Sequence, residues 1–211
     1  MQNLKKNEAD ANVKKEACLK DEAECNITKE EALAIKTVCD ESLSEVIPIL
    51  DAAAKALEKI TKDDINTLKS FANPPAAAKF VMEGMCYAFN EDRDVKSIPK
   101  PDGKPGEKMK DFWDYAKKKL LNSTLIVRVK GFGPEQILAI PEDKIITLKK
   151  FVDDPMMALD VVKNASNAAF QLSLWIRAVV KTYDALLIVE PKKKELAAAE
   201  AKLKAAEDLL A

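Results

Sequence analysis

Stepping in sevens from Leu4 meets Leu4, Ala11, Cys18, Cys25, Ala32, Cys39, Val46, Ala53 and Ile60, an unbroken series of apolar or small residues. Such a series predicts one seam of a long helix in a coiled coil. The second seam position, three or four residues on, is polar at Glu8, Lys15, Glu22, Lys29 and Lys36 and turns apolar only at Leu43, Leu50 and Leu57. Firm pairing with another helix is therefore expected over about Ile35 to Ile60. Leu196, Ala199, Leu203, Ala206 and Leu210 form a matching seam near the other end, and Trp175, Ile176, Val179, Val180, Tyr183, Leu186 and Leu187 continue an apolar face upstream of it. The two rods have to run antiparallel, because everything between them makes a single excursion. Counting from that excursion sets residue 211 opposite roughly Ile35. Residues 1–34 are then expected to lack a mate, since a solitary polar helix gains little from propensity.

The stretch SFANPPAAAKF (Ser70 to Phe80) marks where the first rod stops. Pro74 biases Asn73 away from helix, whereas Pro74 and Pro75 suit a first helical turn, whose N–H groups are unpaired anyway. The helix that follows, AAAKFVMEGMCYAF, puts Ala78, Val81, Met82, Met85 and Phe89 on one face. Residues 90–108 are rich in Pro, Gly and charge and read as a flexible loop. A helix over DFWDYAKKKLLNSTLIVRV then turns Phe112, Trp113, Ala116, Leu120 and Leu121 inward and ends in a β-branched tail whose state the pattern leaves open, and short helices follow around PEQILAI, PEDKIITLKKFV and PMMALDVVKNASNAAF, each introduced by a proline. The expected fold is all-α: a long antiparallel two-helix coiled coil capped by a small helical bundle. Its parts are a first strand (1–72), a globular tip (73–172) and a return strand (173–211). Each rod contains one interior proline, Pro48 and Pro191, and a proline at matching depth in both strands reads as a pair of flexible joints.

Composition narrows the function. The chain contains no histidine and only 5 glycines, so imidazole catalysis and glycine-rich phosphate loops are not expected, and neither is a cofactor or metal site. Asp63, Asp64, Asp153 and Asp154 read as helix caps rather than acid–base pairs. The four cysteines follow no CxxC spacing and read as reduced, buried small residues. No apolar run has transmembrane length, which leaves the triplets at Asn26, Asn122 and Asn164 without a secretory context. Residues 1–65 carry 10 basic and 15 acidic side chains and residues 66–190 carry 19 and 16, so the middle is mildly basic. That is too weak for nucleic acid but suits an acidic protein surface. Neither rod shows the broad apolar face opposite a basic one that membrane association needs.

In this order, VIPILDAAAKAL, SFANPPAAAKFVMEGMCYAF, GFGPEQI, VVKNASNAA and LWIRAVVKTYDALLIVEPKKKEL resemble the stalk and microtubule-binding domain of dynein heavy chains, weakening only over residues 1–30. The insertion with DFWDYAKKKLL is similar to that of axonemal dyneins. The resemblance implies a non-enzymatic segment that links an AAA+ ring to microtubules (α/β-tubulin), in the cytoplasm and cytoskeleton of a cilium or flagellum axoneme. It implies that sliding of one rod along the other sets the grip of the tip. An Ala- and Cys-rich seam suits such sliding, because shallow knobs leave neighbouring registers close in energy. It also implies track contacts at Lys79, after NPPAA, at Arg128 and Lys130, before GFGPEQI, and at Lys163 and Arg177, which flank the start of the return helix. Hinges fall at Pro48, Pro191, Pro74 and Pro75. Two positions depart from the pattern, Leu174 and Asn164, where relatives often carry a basic residue. The insertion lysines Lys100, Lys104, Lys108 and Lys110 are then further contacts. The alternative reading is a generic antiparallel coiled-coil scaffold without tubulin affinity.

Overall fold

The computed structural model describes the backbone of residues 2–58, 60–101 and 103–210, and the side chains of residues 19–20, 23–42, 44, 47–58, 60–101 and 103–205. The seam positions Leu4, Ala11, Cys18, Leu43, Val46, Ala206 and Leu210, with Glu8, Lys15 and Glu22, lie outside the described side chains. The chain is overwhelmingly helical. In order it forms α1 (Gln2–Leu57), α2 (Lys62–Ser70), α3 (Ala76–Ala88), a hairpin of β1 (Ser97–Pro99) and β2 (Lys108–Lys110), and α4 (Phe112–Tyr115) with a π-helical turn at Ala116–Leu120. There follow α5 (Leu125–Lys130), α6 (Pro134–Leu138), α7 (Glu142–Asp153), a 3₁₀ turn at Pro155–Met157, α8 (Leu159–Ala165) and α9 (Asn167–Leu210).

Three local features differ from the sequence expectation. The first rod is interrupted after Leu57, and α2 restarts with a capping box: the Thr61 hydroxyl accepts from the Asp64 N–H at 3.0 Å, and the Asp64 carboxylate accepts from the Thr61 N–H at 2.9 Å. The heptad reading ran through this point because Ile60 keeps the seam apolar. Residues 90–108 are not a featureless loop, since Ser97, Ile98 and Pro99 pair antiparallel with Lys110, Met109 and Lys108. The expected single helix after the hairpin breaks at 121–124, where the Asn122 side chain accepts from the Thr124 N–H at 2.8 Å and competes with the helical ladder.

The chain divides into two compact units, Met1–Ser44 with Leu187–Ala211, and Glu45–Leu186. Each dividing line crosses its helix one turn before a proline. The carbonyls of Ser44 and Leu187, four residues before Pro48 and Pro191, lose the N–H donor that the regular helical ladder supplies.

In the first unit the parts of α1 and α9 run antiparallel. The buried Cys39 thiol donates to the Val189 carbonyl at 4.0 Å, which brings the two helices together at these residues. Cys25 and Ala32 are buried, so part of the 1–34 stretch is covered. The reason is length: α1 ends at Leu57 and α9 begins at Asn167, so the return helix reaches further back than a first rod running to residue 72 allows.

In the second unit α3 is the central element, packed on α4, α7, the 3₁₀ turn and α8. Ala77, Ala78, Val81, Met82, Met85, Cys86 and Ala88 are all buried, and Gly84 lets the helix approach α9 so closely that an added Cβ would lie 3.1 Å from Ile176 Cδ1. Aromatic rings fill the flanks. Phe80 stacks on Phe151 at 4.1 Å, while Phe89, Phe132 and Trp175 form a triangle with centroids 5.4 to 5.5 Å apart. Leu50, Ala53 and Leu57 of α1 are buried in the same unit, as are Trp175, Ile176, Val179 and Tyr183 of α9. Trp175 is fully buried, so Trp175→Ala should destabilise the chain by about 3–5 kcal/mol. Chemical denaturation followed by circular dichroism checks this, and a loss under about 1 kcal/mol would contradict the packing described.

Candidate functional site

The two prolines of the NPP turn precede α3 rather than forming its first turn. Pro74 is buried, Pro75 is extended (φ −52, ψ 143), and the first helical bond runs from the Lys79 N–H to the Pro75 carbonyl at 3.1 Å. The cause is the pair itself: a proline disfavours helical geometry in the residue before it, so Pro74 stays outside the helix and α3 begins only at Ala76. Lys79 therefore stands in the first turn, exposed, with its ammonium donating to the Asn73 side-chain oxygen at 3.2 Å. Glu83 lies one turn further on, half-buried, and lines the same cleft together with Ile98, Lys110, Phe112 and Trp113. Burial pushes the Glu83 carboxyl pKa up, with the Lys110 charge opposing.

At its far end α3 is closed by Asn90 in the left-handed region (φ 56), with the Glu91 N–H donating back to the Cys86 carbonyl at 2.8 Å. This turn delivers two carboxylates to the base of the hairpin. Glu91 accepts from the Arg128 guanidinium at 2.5 Å and from the Tyr115 hydroxyl at 3.1 Å, and Arg128 also lies over the Phe89 ring at 4.1 Å. Desolvation, reinforced by Glu91, pushes the Tyr115 phenol up to about 12. Asp92 is buried and binds both Lys144 of α7 at 2.7 Å and Lys110 of β2 at 3.1 Å, and Lys110 donates to the Asp92 carbonyl as well. Burial alone would push the Asp92 pKa up. The hydrogen bonds and charges of Lys144 and Lys110 outweigh it and hold the carboxyl below its ordinary range.

The five cations singled out by the sequence thus sit in different surroundings. Lys79 and Lys163 are exposed, the latter 6.0 Å from the Phe170 ring centre. Arg128 is drawn inward by Glu91 and Phe89. Lys130 pairs with Glu58 at 2.8 Å, and its hydrogen bond and charge lower the Glu58 pKa. Arg177 is half-buried, donates to the Met157 carbonyl at 2.8 Å and borders an open apolar groove of about 510 Å³ lined by Ile49, Ala52, Ala56, Leu174 and Ala178. Of the insertion lysines, Lys104 and Lys108 are exposed, Lys100 lies 3.8 Å from Glu107, and Lys110 is committed to Asp92. Glu58, Glu91 and Asp92 were not anticipated as partners, because nothing in a linear sequence pairs a residue with one from a distant element.

Comparison with known proteins decides what the arrangement belongs to. Residues 4–211 match the family described as the microtubule-binding stalk of the dynein motor. The chain belongs to the dynein stalk family. Its curated relatives include dynein axonemal heavy chain 3 of Mus musculus, 34% identical over 158 residues, and of Homo sapiens, 33% identical over 159 residues. These alignments take in 74% and 75% of this chain but 4% of each relative, so the chain spans a small part of their length. A solved structure, the microtubule binding domain of dynein-c, superposes with a TM-score of 0.56 at 28% identity, covering 73% of this chain and 95% of that one. Among the described residues of this dynein stalk, no helix is long and apolar enough to cross a membrane, and no group of three or more acidic or cysteine side chains is placed to hold a metal ion.

The ion triad at Asp92 makes the dynein stalk sensitive to acid. Because the folded pKa of Asp92 lies below its unfolded value, its contribution is present above about pH 4 and is lost as pH falls through the folded value. Asp92→Ala leaves two lysines without their carboxylate and should cost about 3–5 kcal/mol at neutral pH. Thermal melts of both proteins across pH 3 to 7, converging at the acid end, are the expected result.

Proposed function

We propose that this chain is the lever and track-binding tip of an axonemal-type dynein heavy chain, gripping the acidic surface of α/β-tubulin without catalysing any reaction itself. The observation that carries the reading is the agreement between family membership over nearly the whole chain and an outward lysine, Lys79, at the head of the helix on which the tip is built. The absence of histidine and of any glycine-rich phosphate loop from the sequence supports a non-catalytic role, with ATP hydrolysis left to the AAA+ ring of the parent chain. The cilium or flagellum axoneme is the proposed setting.

Within this reading, residues 1–72 and 173–211 are the stalk strands and 73–172 the tip. Lys79 and Lys163 make the first track contacts. Arg128, Lys130 and Arg177 join by exchanging Glu91, Glu58 and the Met157 carbonyl for tubulin carboxylates. Pro48 and Pro191 are the joints of the lever, supported by the unit divisions falling where these prolines remove a bond of the helical ladder. Pro74 and Pro75 fix the turn into the tip. Coupling of register to affinity draws on the small side chains Cys39, Ala53 and Ala56, which give few deep knobs to lock one alignment.

Exposed ion pairs are worth about 1 kcal/mol or less each and are screened by salt. Co-sedimentation with microtubules should therefore weaken steadily with added salt, and Lys79→Glu should weaken it at least about fivefold. Binding indifferent to both, or self-association without pelleting, would favour a scaffold instead.

A further inference from the structure

The open groove beside Arg177 has no part in track binding. Its volume of about 510 Å³ falls among small-molecule sites, which span about 300–1,000 Å³ and combine apolar walls with a few placed polar groups. It lies within the second unit, walled by α1, α7, α8 and α9. The α1 wall is built of Ala52, Ala53 and Ala56, which are too small to fill the space, and the large apolar side chains Ile49 and Leu159 are left 41% and 44% exposed. Among the described residues that line the groove, two carry charge, Arg177 and Lys181, one turn apart on α9, and none is acidic. Arg177 donates to the Met157 carbonyl, while its Nε–H is buried without an acceptor. A guanidinium has five N–H donors, and a buried one left unmade is costly. Asp184, the acid three residues beyond Lys181, is taken by Lys149 at 2.6 Å. The groove thus holds cationic donors with no carboxylate to receive them.

We infer that this groove binds a free single-chain amphiphile with an anionic head, of the class of medium-chain fatty carboxylates. The tail lies along the alanine wall of α1 against Leu159 and Leu174, and the head sits on Arg177, which turns its unused N–H donors to it, with Lys181 beside it. Two cations and no acid select an anion, and a carboxylate matches the guanidinium fork, which can give it two parallel hydrogen bonds. A small polar anion would leave the apolar walls in water and gain nothing from them. A bilayer does not fit either, because its surface cannot follow a concave groove and neither rod carries a broad apolar face opposite a basic one. The tail touches both α1 and α9, so a bound amphiphile ties the two strands together where alanines leave them apart. The site does not depend on the track-binding reading.

The test is calorimetric titration of the 211-residue chain at neutral pH with decanoate, octanoate and decanol, and with vesicles of phosphatidylserine and phosphatidylcholine in equal parts. Decanoate should bind saturably with a dissociation constant of about 0.1–1 mM, and the melting temperature should rise with its concentration. Octanoate should bind about fourfold more weakly, since a fully buried methylene is worth about fourfold and the open groove covers about half of each. Decanol, which keeps the tail and loses the charge, should bind about tenfold more weakly than decanoate. Arg177→Gln should bring decanoate down to the affinity of decanol while changing decanol less than about twofold, a split that a merely structural arginine would not produce. Lys181→Gln should weaken decanoate about twofold, and Ala52→Leu, which fills the groove from an exposed position, at least about tenfold. These last two substitutions lie at exposed residues and decide the matter should Arg177→Gln fail to fold by circular dichroism. No saturation by about 10 mM decanoate, equal affinity for decanoate and decanol, or decanoate binding indifferent to Lys181→Gln and Ala52→Leu would overturn the site. Heat from the vesicles without any from free decanoate would overturn it in favour of a bilayer.

Discussion

Two consecutive prolines set where the tip begins, and much of the second unit follows from that constraint. Pro75 forces Pro74 out of helical geometry, Pro74 is buried, and α3 starts at Ala76. Because α3 is covered by α4, α7, α8 and α9, a shift of one residue in its start would rotate Ala78, Val81, Met82 and Met85 off the core by about 100°. It would also carry Lys79 away from Asn73. The prolines therefore hold the hydrophobic face and the outward charge in one rotational setting.

At the other end of α3, electrostatics takes over from packing. Asn90 turns the chain so that Glu91 and Asp92 meet cations from elements far along the sequence, namely Arg128, Lys144 and Lys110. For Asp92 the desolvation cost is the largest single contribution, yet two lysines overcome it, which is why the carboxyl stays ionised. For Glu83 the balance runs the other way, since burial dominates and no cation is bound to it. Two acids nine residues apart in one cleft-and-hairpin region thus sit in opposite surroundings. Asp92 secures the hairpin to α7, and Glu83 lines the cleft beside it.

The rods follow a third logic. Cys25, Ala32, Cys39 and Ala53 are buried but small, so each contributes little apolar area and few interlocking contacts. Around Ala52 and Ala56 the shortage of side-chain volume leaves an open groove beside Leu174 and Ala178. At these positions the seam offers few deep knobs, whereas Leu50 and Leu57 further along α1 are buried large ones.

Much of this was legible in the sequence. The heptad spacing, the NPP stop and the inward face of α3 were read from local periodicity and backbone rules, which act over a few residues and so are written in consecutive ones, whereas Lys79 was marked by the resemblance to dynein stalks. The capping box at Thr61 and Asp64 was legible too, but the apolar seam running past Ile60 masked it. The hairpin, the register of Cys39 with Val189, and the inward commitment of Arg128, Lys130 and Lys110 were decided only in three dimensions. A charged side chain takes whichever partner folding brings within about 3 Å, and that choice depends on the positions of elements up to 72 residues apart, as with Glu58 and Lys130. The sequence determined where charges and apolar faces lie along each helix, while the tertiary structure alone determined which of those charges remain free to meet another molecule.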